Sequence, residues 1–135
     1  MKPILWASLL LTAALAGSVS AGEIEWQRFQ DEDVIEVLTR DEDGALRETS
    51  IWIVAFDGHG YVRTNDSRWL ANIRRGSSVA LRIGEDEFPV TARESDDAAL
   101  TARVEEGFKQ KYGFTQRVMS WFRMREPTLL ELSAH

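Results

Sequence analysis

Short runs in which hydrophobic and polar residues alternate dominate the chain from residue 34 onward, and such runs predict β-strands with one buried face. A first strand is predicted over 34–38 and is followed by the turn-forming residues of 41–44. The next segment, 46–56, is apolar on both alternating sets of positions from Ile51 onward. We therefore expect one strand there, buried on both of its faces.

Two hairpins follow this strand. The sequence Asp-Gly-His-Gly at 57–60 predicts a tight turn into a return strand over 61–65. A second hairpin is predicted from strands over 78–83 and 88–94 around the turn 84–87, and a last strand over 128–132.

A short helix is predicted between the two hairpins, over 68–75. Asp66 or Ser67 can cap its beginning, and Gly76 can end it in the left-handed conformation. At 3.6 residues per turn the helix has an apolar face and a polar face, and we expect the polar one to point outward. The apolar face carries Trp69, Leu70 and Ile73, and the polar face carries Arg68, Asn72 and Arg75.

The longest predicted helix opens at 95–97 and ends at Gly113, and a second helix is predicted over 115–125. Acidic residues at the beginning of the longest helix suit the positive end of its dipole. An apolar residue recurs every four positions along it, at Leu100, Val104, Phe108 and Tyr112. This stripe predicts a core-facing helix.

The order of these elements favours a mainly β (α+β) fold, a small antiparallel barrel with packed helices, and argues against a doubly wound parallel sheet. No internal repeat or linker interrupts the chain, so we expect a single domain over 22–135. The acidic stretch 23–48 is expected on a solvated face.

The first 21 residues read as a secretory signal peptide, 1–21. Lys2 precedes the apolar run 4–16, and small residues follow at 19–21. The run is shorter than the ~20 residues that a membrane span needs. We expect a mature chain that begins at Gly22 and is exported, to the periplasm or outside the cell. The alternative is an uncleaved anchor.

Composition excludes several kinds of chemistry. The chain has no cysteine, which excludes disulfides, thiol nucleophiles and thiolate metal sites, and only His59 and His135 are histidines. The 22 acidic residues outnumber the 16 basic ones, and a net charge of −6 makes nucleic acid an unsuitable partner.

Positive charge is nevertheless concentrated in one segment. Residues 61–83 hold five arginines and one carboxylate, Asp66. Arginine's planar fork suits carboxylate or phosphate, so the segment predicts an anion-binding corner. The alternative is that these arginines stabilise the end of the short helix or pair with the acidic stretch.

Two further clusters carry weaker signals. Asp57 and His59 share a turn, but no nucleophile motif accompanies them, and a lone histidine is also a weak haem ligand. The segment 117–126 combines aromatic residues, methionines and arginines. Such a helix either packs on a core or partner or lies on a membrane surface, and we expect the first.

Several segments of the chain resemble those of a known protein family. "YVRT", "RWLANIRRGSSVALRIG" and "VTARES" are similar to the pyridoxamine-phosphate-oxidase-like split barrels, above all to the branch of deazaflavin-dependent nitroreductases and uncharacterised bacterial proteins. "KYG" at 111–113 and "TLLEL" at 128–132 resemble the uncharacterised set. The resemblance covers residues 34–132.

The resemblance implies a six-stranded antiparallel split β-barrel, a homodimer, with FMN or a deazaflavin at the dimer interface. The residues that match the phosphate site are Arg47, Thr49, Arg63, Thr64 and Arg68, and those that match the ring site are Trp52, Trp69 and Asn72.

The expected export departs from the family pattern. A chain that is secreted unfolded cannot carry a bound flavin, so any cofactor would have to be acquired outside the cytoplasm. Three hypotheses follow, the last of which is a purely structural dimer that binds nothing at the anion-binding corner. In the first, the protein is a flavin- or deazaflavin-dependent reductase whose cofactor supplies the hydride chemistry. In the second, it is a nonenzymatic envelope protein that binds a small anionic ligand or a protein partner at the same corner, without a cofactor. The residues leave open whether the protein is an enzyme.

Overall fold

The computed structural model describes residues 24–113 and 127–135. The predicted signal peptide and the predicted helix over 115–125 lie outside the described residues. No helix in the described segments has the length and apolar character that a membrane crossing requires.

Seven strands and three helices make up the described chain. They occur in the order α1 (Trp26–Gln30), β1 (Ile35–Arg40), β2 (Leu46–Ile51), β3 (Val54–Phe56), β4 (His59–Thr64), α2 (Arg68–Arg74), β5 (Val79–Ile83), β6 (Asp86–Ser95), α3 (Ala98–Tyr112) and β7 (Thr128–Ala134).

All seven strands belong to one antiparallel sheet, in the order β2-β1-β5-β6-β7-β4-β3. The outermost strands, β2 and β3, are neighbours in sequence with only Trp52 and Ile53 between them. Two such residues span at most about 11 Å, whereas a flat seven-stranded sheet would hold its edges about 29 Å apart. The sheet must therefore curl, and the antiparallel split-barrel prediction is confirmed, with seven strands instead of six.

The inside of the barrel is the main hydrophobic core. Strand residues from β1, β4, β5, β6 and β7 meet there, and α1 and α2 contribute Phe29, Trp69 and Leu70. Alternation along the strands selects the inward side chains, as at Ile35 and Val37 of β1.

The outer face of the barrel carries a second core under α3. Val104 and Phe108 are fully buried there against Val54, Tyr61 and Leu129. Leu100 and Tyr112 are partly buried at the two ends of the helix. The predicted stripe of α3 is thus confirmed, as are its end at Gly113 and the short helix α2 with its Ser67 cap.

One expectation about the first half of the chain was wrong, and one helix there was not predicted, although the carboxylates of the acidic stretch are mostly exposed as expected. The segment 46–56 is two strands, because the chain must leave one edge of the sheet and enter the other at Trp52 and Ile53. The acidic stretch contains the helix α1, whose Phe29 is fully buried in the barrel. One buried aromatic side chain in a polar segment gave no periodic signal.

The end of α3 is joined to the break between β2 and β3 by a polar clasp formed by Lys111 and Tyr112. The Lys111 amine donates hydrogen bonds to the carbonyl oxygens of Phe29 (3.1 Å) and Ile53 (2.7 Å). The Tyr112 hydroxyl accepts one from the Ile53 amide (3.2 Å) and donates one to the Asp33 carbonyl (2.8 Å). The clasp therefore satisfies backbone groups that the sheet leaves without partners.

Burial lowers the pKa of the Lys111 amine from 10.5 to about 8. Between pH 8 and about pH 10 the unfolded chain holds a proton that the folded chain has released, so stability should rise with pH. Urea unfolding midpoints at both pH values should show this rise in the wild type and in Lys109→Met, and a smaller one in Lys111→Met. Equal rises in all three proteins would contradict the prediction.

Gly60 of β4 allows α1 to approach the sheet. A Cβ atom there would lie 2.6 Å from Cζ3 of Trp26 and 3.1 Å from Cδ1 of Ile53. Gly60→Ala should therefore lower the free energy of unfolding by about 1–3 kcal/mol, measured by urea denaturation. Gly107→Ala is the control, since its Cβ would lie 3.6 Å from Val54 and alanine favours the helix by about 1 kcal/mol. A stable Gly60→Ala protein would disprove the close packing.

Candidate functional site

A cleft of about 400 Å³ lies between the β1–β2 turn and α2. We call it the arginine cleft, and it is lined by Asp41, Glu42, Asp43, Arg47, Arg68, Ala71, Asn72 and Arg75. The turn contributes the carboxylates, and α2 contributes Arg68 and its C-cap residue Arg75.

The position of α2 follows from its ends and its apolar face. The Ser67 hydroxyl accepts a hydrogen bond from the Leu70 amide (3.3 Å), and the Thr64 hydroxyl lies 3.0 Å from that of Ser67. Trp69 and Leu70 are 5% and 1% exposed inside the barrel. Because this face is anchored, the residues on the opposite side of α2 are held at the mouth of the barrel.

A buried polar network joins α2 to the first two strands. The Asn72 amide, 3% exposed, donates to the Thr39 hydroxyl (3.0 Å) and to Oδ1 of Asp41 (2.9 Å). Arg47 donates two hydrogen bonds to the same carboxylate, at 2.7 and 3.0 Å. These bonds, first that from Arg47 and then that from Asn72, lower the pKa of Asp41 from 3.8 to about 2.

Besides Arg47, the arginines of the cleft form no ion pair with a carboxylate within the part of the chain that the structure describes. Among the ten arginines in 24–113 and 127–135, seven form ion pairs: Arg28, Arg47, Arg63, Arg74, Arg82, Arg93 and Arg103. The other three are Arg40, Arg68 and Arg75, of which Arg68 and Arg75 line the cleft, whereas the Arg40 guanidinium donates to the Gly44 carbonyl (3.3 Å). Arg75 donates to the Arg40 carbonyl (3.2 Å) and to Asn72 Oδ1 (2.6 Å), so its guanidinium is oriented but its charge is not paired.

The predicted site residues on the inner face of the barrel are only partly accessible. Arg47 and Thr49 are opposite Thr39 and Val37 of β1 and share their inward orientation. Asn72 was expected to point outward, and that expectation was wrong, because its amide is buried in the network. Trp69 lies in the core.

The structure places Arg63 and Trp52 on the other side of the sheet. Arg63 follows the inward Val62, so its side chain points outward, where it pairs with Glu105 of α3 at 3.0 Å. The ring of Trp52 stacks on Tyr112, with centroids 4.5 Å apart. The predicted residues therefore form two groups on opposite faces of the sheet.

The period of two along a strand could have revealed this division. Arg63 and Thr64 are adjacent in β4 and must point to opposite faces, so they cannot both contact one phosphate. Nothing in the sequence pattern indicated Asp41, whose role depends on a contact with Asn72, 31 positions away.

The remaining candidates do not form a site in the described residues. His59 is half-buried in the hairpin turn, with Nδ1 3.0 Å from the Asp57 carbonyl. Within 24–113 and 127–135 no three histidine or carboxylate side chains are grouped to hold a metal ion.

A family model described as "Uncharacterized protein conserved in bacteria (DUF2255)" matches residues 25–130. No curated protein matches the chain by sequence.

Several solved structures are similar to the described fold. ChuZ of Campylobacter jejuni matches with a TM-score of 0.69 and 14% identity, over 82% of this chain and 51% of its own. HutZ, described as the heme storage protein of Vibrio cholerae, matches with a TM-score of 0.66 and 17% identity, over 86% of this chain and 92% of its own. An F420-H2 dependent reductase, FDR-A, matches with a TM-score of 0.57 and 15% identity, over 74% of this chain and 94% of its own.

These likenesses establish the fold. The chain is a split barrel of the pyridoxamine-phosphate-oxidase-like kind, as the resemblance implied. It spans about half the length of ChuZ.

The Asp41 network predicts an acid-sensitive fold. A folded-state pKa of about 2 means that Asp41 stabilises the protein fully above its ordinary pKa of 3.8, and that this contribution is lost as the pH falls to 2. The fall in urea midpoint from neutral pH to pH 2 should be smaller in Asp41→Asn than in the wild type. Glu42→Gln, at the exposed neighbouring position, is the control. Its urea midpoint should fall by as much as that of the wild type.

Proposed function

The chain belongs to the bacterial family DUF2255, and we propose that its split barrel binds a small phosphate-bearing ligand in the arginine cleft. The observation that carries this proposal is that Arg68 and Arg75 both line the cleft and form no ion pair within the described residues, whereas seven of the other eight described arginines have carboxylate partners. Guanidinium groups without carboxylates bind phosphate through charge-assisted hydrogen bonds.

The local architecture supports this use of the cleft. Asp41 accepts hydrogen bonds from both Arg47 and Asn72, and Asn72 Oδ1 orients the guanidinium of Arg75. Arg68 is exposed on the same helix side of the cleft. A ligand phosphate that reached Arg68 and Arg75 would meet a site that is largely preformed.

A flavin or deazaflavin is the second candidate ligand, and one of the similar structures is an F420-H2 dependent reductase. The residues of one protomer do not fit such a cofactor at both predicted groups. Arg47 and Trp52 are five residues apart along an extended segment, about 17 Å, and they serve opposite faces of the sheet. A flavin that contacted both groups would need residues from two protomers.

We also propose that the protein is exported after cleavage before Gly22 and that it is a homodimer. The signal-peptide pattern of 1–21 supports the first proposal. The position of β2 and β3 at the two ends of the strand order, where each pairs with one neighbour only in the described sheet, supports the second.

The proposal is tested on the chain purified from the periplasm, whose mass should correspond to a beginning at Gly22. Isothermal titration with inorganic phosphate and with FMN should show binding that Arg68→Ala weakens at least about tenfold, through loss of a charge-assisted bond. Arg74→Ala is the matched control, since it removes the same charge from the same helix but from an arginine already paired with Glu94.

Absorbance spectra after incubation with FMN, a deazaflavin or hemin, followed by desalting, separate the candidates. A retained flavin band that Arg68→Ala abolishes would favour a flavin as the ligand, and the next step would then be to find its electron donor. Phosphate binding without retention of any chromophore would favour a small ligand. Equal phosphate binding by wild type, Arg68→Ala and Arg74→Ala would overturn the assignment of the cleft.

A further inference from the structure

Opposite charges face each other across the arginine cleft without pairing. Arg68 and Arg75 lie on the helix side, and Glu42 and Asp43 lie on the turn side. No guanidinium nitrogen of the two arginines comes within 4.0 Å of a carboxylate oxygen in the described residues. Each side therefore remains charged and faces the other across the space.

The opposite side of the same helix behaves differently. Arg74 points away from the cleft and forms two hydrogen bonds to Glu94, at 2.9 and 2.8 Å. Helix α2 thus pairs its arginine with a carboxylate where a strand is adjacent and does not where the cleft intervenes.

Neither a simple anion nor a simple cation complements this cleft. An anion held by Arg68 and Arg75 would lie near Glu42 and Asp43, whose repulsion would weaken its binding, and a cation held by the carboxylates would meet the arginines. A molecule with both charges would complement both sides. The volume of about 400 Å³ lies in the range of sites for small molecules.

We propose that the ligand of the arginine cleft carries a phosphate group and a primary ammonium group a few bonds apart. This inference rests on the proposed function, since it places the phosphate on Arg68 and Arg75. The ammonium then donates its hydrogen bonds to the carboxylates of Glu42 and Asp43. Asp43 already accepts a bond from the Ala45 amide through Oδ1 (3.0 Å), which fixes its carboxylate and leaves Oδ2 for the ligand.

Two sources supply this chemistry, a free phosphorylated amine and the headgroup of an amine-bearing phospholipid. Both present a phosphate and an ammonium with N–H donors. They differ in whether the phosphate has one or two ester bonds and in whether the ligand lies in a membrane surface.

Isothermal titration of the full mature chain with three soluble probes tests the inference. The probes are O-phosphoethanolamine, ethyl phosphate, which lacks the amine, and ethanolamine, which lacks the phosphate. O-phosphoethanolamine should bind at least about tenfold more tightly than ethyl phosphate, because only it meets both sides of the cleft. The double variant Glu42→Gln with Asp43→Asn should reduce this ratio to about one.

A matched double variant controls for the change in net charge. Glu85 and Glu87 are exposed around another turn, between β5 and β6, and Glu85→Gln with Glu87→Gln should leave the ratio as in the wild type. A ratio reduced equally in both double variants would assign the preference to overall charge and would overturn the proposed contacts.

The outcomes separate this inference from the proposed function. Equal affinity of the wild type for ethyl phosphate and O-phosphoethanolamine would overturn the ammonium contact and leave the phosphate site in place. Failure of every phosphate probe to bind would overturn both.

Co-sedimentation with vesicles then identifies the source. Binding to vesicles that contain phosphatidylethanolamine, but not to phosphatidylcholine alone, would assign the headgroup if the Glu42→Gln, Asp43→Asn variant loses it. Tight binding of the soluble probe without co-sedimentation would assign a free ligand.

Discussion

The two-residue connection between β2 and β3 is the constraint on which the rest of the structure depends. These strands are the two edges of a seven-stranded sheet, and so short a connection forces the edges together. Curling the sheet creates an inner face, filled by one core, and an outer face, covered by α3. The clasp of Lys111 and Tyr112 holds this connection by satisfying the backbone of Ile53.

Closure of the barrel also creates the corner that holds the arginine cleft. Helix α2 covers the open end of the barrel. At that end the apolar core borders on a network of hydrogen bonds among Thr39, Asn72, Asp41 and Arg47. A buried polar network is stable only when its members are satisfied, and here each of these groups has a partner. The same network that supports α2 thus fixes the backbone from which Arg68 and Arg75 face the turn.

The division between the two faces of the sheet limits what one copy of the chain can bind. Arg63 and Trp52 pack against α3 on the outer face of the sheet, whereas Arg47 and Asn72 bind Asp41 at the mouth of the barrel. Similar split barrels include a protein described as a heme storage protein and an F420-H2 dependent reductase, so the fold does not determine the ligand. The charges at the corner are therefore the better guide to the function of this chain.

Local patterns in the sequence determined the strands, the hairpin turns, the cap of α2 and the stripe of α3, because each depends on residues within a few positions of one another. The arginine-rich segment also identified the corner. The break at Trp52, the helix α1 and the burial of Asn72 were decided only by the tertiary structure. Each depends on contacts between distant residues, such as Asn72 with Thr39 or Lys111 with Ile53, and these contacts exist only once the sheet has closed.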